Sequence, residues 1–335
     1  MSRVLGLYEK ARKDRKKIVL PEGEDPRVVK AAAVIAEEGL ADIVILGAES
    51  EIRKAASDVS VSLDKVNIID PSGHDKKEEI VSRYYELRKA KGMTPEEAEE
   101  TVMGKLVYYA AMMTKLGFVD GFVAGAVHTT SDVARSAIQC LRLDREIGTV
   151  SSAFIMEMHD CPYGENGLFA YGDCGIIPYP SVRQLAGIAI STSGLFKKLF
   201  GIEPRVAMLS YSTKGSAKPS ETIETVLQAL AKVKEKRPEI IIDGELQLDA
   251  AIVPEIAERK CPGSKVGGRA NVLIFPNLDA GNISYKLSQR LGKAEAVGPI
   301  ILGLDKPCSD LSRGSDWREI VNTTVVTAIR AQQMK

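Results

Sequence analysis

The first apolar run, Lys17-Ile18-Val19-Leu20, reads as a strand, and a helix start follows it, with Asp25 at the N-cap and Pro26 at the first helical position. Gly39 stops that helix, and Asp42-Ile43-Val44-Ile45-Leu46 reads as the next strand. The alternation continues with a strand at Val66-Asn67-Ile68-Ile69-Asp70, a polar helix from about Lys76 to Lys91, and the capping box Thr94-Pro95-Glu96-Glu97 opening a long helix. A further strand spans Gly121 to Val127. Ahead of all these, Val4, Leu7, Tyr8 and Ala11 fall at helical spacing among basic residues that Glu9 and Asp14 interrupt, the pattern of a solvated surface helix rather than a transit segment.

The second half repeats the grammar. Strands are expected at Ser151–Met156, Arg205–Ser210, Ile240–Asp243, Asn271–Pro276 and Pro299–Leu304, with helices at Ser181–Leu199 and Ser220–Lys236 and a last helix at the C-terminus. Strands that are apolar on both faces and alternate with helices predict mainly parallel sheets covered on both sides, so the fold class is α/β. Glycine- and polar-rich stretches at 144–151 and 160–173 mark the expected crossover between two domains, in keeping with 335 residues. No repeat stands out, which argues against a solenoid.

Composition narrows the function classes. The 45 Lys and Arg balance the 45 Asp and Glu, leaving no positive field for nucleic acid or an anionic membrane surface. No run approaches the roughly 18 apolar residues of a spanning helix, and the first residues lack a signal-peptide pattern. Five cysteines without a C-x-x-C pair predict reducing cytosol, and three scattered histidines offer no zinc-binding pattern, so no metal is expected.

No P-loop, no strand-to-helix G-x-G-x-x-G and no G-x-S-x-G elbow is present. Candidate chemistry lies instead in polar, glycine-rich stretches after strands, where ligands of open α/β sheets bind. In 125–135 the chain passes through His128, Thr129, Thr130 and Ser131 into a helix carrying Arg135, a donor-rich helix start suited to phosphate or carboxylate. The alternative is that Thr130 or Ser131 merely caps the helix and Arg135 pairs on the surface. In 310–319, Ser312, Arg313, Asp316 and Glu319 crowd the turn before the last helix. An arginine fork suits phosphate, a hydroxyl suits an oxyanion and a carboxylate can take a proton. The structural alternative makes Asp316 the N-cap and Glu319 its capping-box partner. The three carboxylates of 243–251 suit either a metal or turn caps, and the small donors of 211–219 suit either an anion cradle or a flexible loop.

Taken in order, IVLPEGEDPRVVKAA, GAVHTTSDVAR, SYSTKGSAKP, DGELQLDAAIVPEIAERKCPGSKVGGRANVLIFPNLDAGNISYKL and KPCSDLSRG resemble the phosphate acetyltransferase family over nearly the whole chain. The resemblance implies two three-layer α/β domains of the isocitrate/isopropylmalate dehydrogenase kind. The last helix would return to the first domain (1–144 plus 300–335), 145–299 would form the second, and the active site would lie in the interdomain cleft. It implies a cytoplasmic homodimer and reversible acetyl transfer between coenzyme A and inorganic phosphate by direct attack in a ternary complex. Coenzyme A is a substrate there, and no cofactor or metal takes part in the chemistry.

By position, the resemblance assigns oxyanion stabilisation to Ser312 and acetyl phosphate binding to Arg313. Arg88, in Tyr85-Glu86-Leu87-Arg88-Lys89, and Arg135 would bind phosphate groups, with Thr130, Ser131 and Lys286 as further substrate contacts. Family members place an aspartate base seven residues after the serine; here that position is Glu319, with Asp316 four after it, and Glu319 is the favoured base. Ser136 stands where the family usually has proline. Two other readings on this scaffold are a butyryl specificity and a non-catalytic acetyl-CoA-sensing module.

Overall fold

The computed structural model describes residues 3–334. The chain divides into two compact units, one built from Arg3–Leu143 together with the chain from Leu304 onward, the other from Asp144–Gly303.

The first unit runs α1 (Arg3–Lys13), β1 (Lys17–Leu20), α2 (Pro26–Glu37), β2 (Asp42–Leu46), α3 (Glu49–Asp58), β3 (Asn67–Ile69), α4 (Lys77–Arg88), α5 (Pro95–Gly104), α6 (Leu106–Leu116), β4 (Gly121–Ala124) and α7 (Thr130–Cys140). Local chemistry explains the helix starts. Asp25 accepts from the Arg27 N–H with Pro26 at the first helical position, and Thr94 and Glu97 close a capping box. The long helix expected after Thr94 is two helices. Gly104 weakens the helix and Lys105 takes an extended backbone, so α5 and α6 meet at a corner.

The second unit follows with β5 (Ser151–Glu157), β6 (Leu168–Gly172), α8 (Val182–Phe200), β7 (Arg205–Leu209), α9 (Glu221–Lys236), β8 (Ile241–Leu246), α10 (Leu248–Ile252), α11 (Pro254–Lys260), β9 (Val272–Ile274), α12 (Leu278–Arg290) and β10 (Glu295–Leu302). The chain then returns to the first unit as β11 (Cys308–Asp310) and α13 (Trp317–Gln333).

In the first unit the strand order is β3-β2-β1-β4-β11, every neighbour parallel. All four residues of β4 and the last three of β1 are buried, because helices cover both faces. α13 packs with α1 and α2 and against β1, β4 and β11, while α6 lies on β4 and α7 on β11. From β1 the chain moves outward to β2 and β3, then crosses to β4 and finally β11. The strand order therefore reverses beside β1, and the crevice beyond the carboxyl ends of β1 and β4 is a topological switch point.

In the second unit the order is β10-β5-β6-β9-β7-β8. β5 is antiparallel to both β10 and β6, while β6, β9, β7 and β8 are parallel. β6 lies inside the glycine-rich stretch read from the sequence as crossover. Five consecutive buried residues, Leu168 to Gly172, make it a central strand despite its flanks. β11 also escaped the sequence reading. Its three residues, Cys308, Ser309 and Asp310, are too few to show a period.

Candidate active site

β1, β4 and β11 end side by side, so the segments that leave them share one floor. Strand β4 stops at Ala124, three residues short of the run read from the sequence, because Gly125 turns the chain at φ +117. A Cβ at Gly125 would strike Asp310 Oδ1 and the backbone of Leu311, so only glycine allows the two loops this approach.

Beneath the loop lies Glu22, just beyond β1 and 1% exposed. Its carboxylate accepts N–H bonds from Gly125 (3.0 Å to each oxygen), Ala126 (2.9 Å), Val127 (3.0 Å) and His128 (2.8 Å), and Nδ1 of His128 lies 2.8 Å from Oε1. Burial opposes ionisation of Glu22, yet the bonds from His128, Val127 and Gly125 hold its carboxyl below the usual range. The bond to Glu22 in turn raises the pKa of His128 against its burial. An interior anion thus shapes residues 125–128 and presents the next three residues outward.

Those residues open α7. Thr129, not Thr130 or Ser131, is the N-cap; its Oγ1 accepts from the Asp132 N–H at 3.1 Å and donates to Asp132 Oδ2 at 2.9 Å. Asp132 is further held by Lys105 Nζ at 2.6 Å. Thr130 and Ser131 are therefore the first helical residues, both exposed, at the positive end of the helix.

Two arginines flank one buried phenol. Arg88 ends α4 and Arg135 sits on α7; both charges act on Tyr108 and oppose the upward shift that burial gives it. Tyr108 packs edge-on against Tyr84 with ring centres 5.7 Å apart, and Tyr84 donates to Gln139 Oε1 at 2.7 Å. Arg88 Nε is buried with no hydrogen-bond partner. Among the described residues neither Arg88, Arg135 nor Arg313 is ion-paired to a carboxylate. A guanidinium without a carboxylate partner and a helix start with free N–H groups are each chemistry suited to phosphate.

The second loop leaves β11. Leu311 is buried, Ser312, Arg313 and Gly314 are exposed, and the Ser315 N–H donates to the Ser312 carbonyl at 2.9 Å, closing a tight turn. Asp316 is the N-cap of α13, its Oδ1 accepting from the N–H groups of Arg318 (2.8 Å) and Glu319 (2.9 Å). Glu319 occupies the third helical position and is partly buried.

Asp310, immediately before this turn, is 1% exposed and neither of its oxygens completes a hydrogen bond. Burial pushes its pKa up to about 7 and the charge of Glu22 adds to this, while the nearby Thr130 hydroxyl and Leu311 N–H oppose it.

The first unit therefore carries Ser312, Arg313, Glu319, Arg88, Arg135, Thr130 and Ser131. Lys286 belongs to the second unit, on α12, where its Nζ donates to Asn282 Oδ1 at 2.8 Å and lies 5.5 Å over the Tyr285 ring. The carboxylates of 243–251 are engaged by protein groups. Asp243 holds Lys214 Nζ and Ser264 Oγ, Glu245 holds Ser212 Oγ and the Gly215 N–H, and Asp249 pairs with Lys260. The 211–219 loop is thereby tied to the 243–249 segment rather than left flexible.

A family model described as phosphate acetyl/butaryl transferase matches residues 4–328. The chain belongs to that family. Its relatives include the phosphate acetyltransferase of Acetivibrio thermocellus, 51% identical over 335 residues and covering all of both chains. The phosphate acetyltransferase of Thermoanaerobacterium thermosaccharolyticum is 50% identical over 332 residues, covering 99% of this chain and 100% of that one. Among solved structures, a phosphotransacetylase from Streptococcus pyogenes is 40% identical, covers 99% of this chain and 100% of its own, and superposes with a TM-score of 0.90.

The sequence alone assigns no role to Glu22 or Arg27, although both lie in PEGEDPR, within one of the segments that carry the family resemblance. The available signal was position. An acidic residue directly beyond the carboxyl end of a buried parallel strand sits where such sheets bind ligands.

Proposed function

We propose that this chain transfers acetyl groups reversibly between coenzyme A and inorganic phosphate. The observation that carries the reading is the identity of about half its residues, end to end, with phosphate acetyltransferases. The meeting of the Thr130-Ser131 helix start and the Ser312-Arg313 turn beyond the carboxyl ends of β4 and β11 supports it.

In direct transfer the thiol of coenzyme A loses its proton and the sulfur attacks the acetyl carbon of acetyl phosphate. The C–S bond forms, the bond from that carbon to the phosphate oxygen breaks, and phosphate leaves. Arg313 would hold the phosphoryl group, Ser312 would donate to the developing oxyanion, and Thr130 and Ser131 would add donors at the end of α7. Arg88 and Arg135 would take phosphate groups of coenzyme A or of the acyl substrate, with Lys286 a further substrate contact. Glu319, seven residues after Ser312 where the resemblance places the base, would accept the thiol proton, while Asp316 caps α13 through Oδ1. Burial raises the thiol pKa of Cys140, Cys174, Cys261 and Cys308, which makes these poor nucleophiles and supports transfer without an acetyl-cysteine.

The same reading makes the enzyme a cytoplasmic homodimer with no nucleic-acid or membrane partner and no metal or cofactor in the chemistry. No described helix is long and apolar enough to cross a membrane. Phosphate-dependent release of coenzyme A from acetyl-CoA tests the function, and sedimentation of the purified chain tests the dimer. A preference for butyryl-CoA of about tenfold or more in kcat/KM would move the acyl specificity to the other branch of the family. No release from either thioester would overturn the assignment.

A further inference from the structure

The guanidinium of Arg27 has five N–H donors, and every one is used. Nε donates to Asp25 Oδ1 at 3.0 Å, and Nη2 donates to Asp25 Oδ2 at 2.6 Å and to the Ala126 carbonyl at 3.0 Å. Nη1 donates to the carbonyls of Arg313 at 2.8 Å and Ser315 at 2.9 Å. The partners lie 99, 286 and 288 residues away along the chain. One planar group therefore joins the loop that leads to Thr130 and Ser131 to the turn that carries Ser312 and Arg313.

The strut is anchored at its base. Asp25 is the N-cap of α2, accepting the Arg27 N–H at 2.8 Å as well as the guanidinium, so the side chain is held at both ends of its length. The Ala126 carbonyl belongs to the segment whose N–H groups are wrapped on Glu22, which fixes the far side of the link. Exposed loops adjust their backbones readily, and the turn at 312–315 has one internal N–H to carbonyl bond. Without Arg27, the carbonyls on either side of Gly314 would turn to water, and the side chains of Ser312 and Arg313 would lose their fixed relation to α7.

We propose that Arg27 is a positioning residue for acetyl transfer, setting the Ser312-Arg313 turn against the Thr130-Ser131 helix start without touching substrate. The inference rests on the function proposed for that turn. Misplacing reacting groups by about 1 Å costs on the order of 10²-fold in rate. Arg27→Met in the full chain should therefore lower kcat by about one to two orders of magnitude. It should also raise KM for acetyl phosphate, which Arg313 holds, and leave KM for coenzyme A nearly unchanged, because Arg88 and Arg135 stand on other elements. Arg27→Lys should fail to restore kcat, since an ammonium cannot span three carbonyls and a carboxylate in one plane. Added guanidinium should partly restore kcat to Arg27→Ala, a recovery that a loss of fold would not permit.

Arg313→Ala is measured alongside. If it abolishes transfer while Arg27→Met and Arg27→Lys stay within a few-fold of the parent, the strut is refuted and the function of the turn stands. If Arg27→Met weakens both KM values equally and guanidinium restores nothing, Arg27 is only part of the framework and the proposal fails. If Arg313→Ala itself is near normal, the reading of the turn falls and the strut with it. Should Arg27→Met not fold, Asp25→Asn, which keeps the cap but loosens the fork, must show the same split between the two KM values.

Discussion

Replacing Asp310 with Asn should stabilise the first unit at neutral pH and leave it nearly unchanged in acid. The side chain is 1% exposed, completes no hydrogen bond, and has its pKa raised from 3.8 to about 7. Between those two values the folded chain keeps the proton on Asp310 while the unfolded chain has released it. The native state then binds more protons than the unfolded state, so stability falls as pH rises through this window and levels off above about 7. At about 1.4 kcal/mol per pH unit, the whole shift of roughly three units amounts to about 4 kcal/mol at most. Roughly two of those units lie above pH 5, so the gap between Asn and Asp should widen by about 2–3 kcal/mol between about pH 5 and about pH 8. Glu22, its pKa depressed, stays ionised through this window in both proteins, and His128 is present in both. The lone tryptophan, Trp317, sits at the start of α13 beyond the turn, and its fluorescence reports unfolding of this unit in urea. An Asn variant whose stability relative to the parent is the same at both pH values would refute the assignment of a neutral carboxyl to Asp310.

Glu22→Gln turns one acceptor into a donor facing N–H groups, and should cost about 2–4 kcal/mol by urea unfolding at neutral pH. The penalty should shrink as pH falls through the depressed pKa of Glu22, because the parent then loses the same bonds; a cost under about 0.5 kcal/mol would show that the loop does not depend on this anion. Arg313→Ala should lower kcat/KM by an amount equivalent to about 2–5 kcal/mol, with little recovery in Arg313→Lys. A near-normal lysine variant would take Arg313 out of the site. Glu319→Gln should reduce kcat by about 10²- to 10⁴-fold with normal folding, whereas Asp316→Asn, which keeps the cap, should leave kcat within a few-fold of the parent. The reverse pattern in the pH-rate profiles would hand the proton to Asp316.

Helix starts were written in the sequence because capping is local chemistry. Asp25-Pro26, Thr94 with Glu97, Ser181 with Gln184, and Ser220 each satisfy N–H groups within three residues of themselves. The apolar strands β1, β2, β4, β5, β7 and β9 were legible for a related reason: burial on both faces demands a continuous run. The family likewise follows from sequence, since motifs spread along nearly the whole chain resemble it and the match is end to end. Tertiary structure alone decided that β6 and β11 are strands, because pairing with neighbours rather than any pattern of their own makes them so. It decided that Thr129 caps α7 while Thr130 and Ser131 face outward, a choice among three adjacent hydroxyls that no spacing rule resolves. Asp316 as the cap of α13, by contrast, is one of the two readings that the sequence itself offers, and the local N–H bonds bear it out. The roles of Arg27 and Asp310 have no local signature, and the position of Glu22 beyond a strand end does not reveal its partners. A carboxylate wrapped by N–H groups about 100 residues away, a guanidinium bridging two distant loops and an acid made neutral by burial depend on which strands end side by side, and that is settled only when the sheet is assembled.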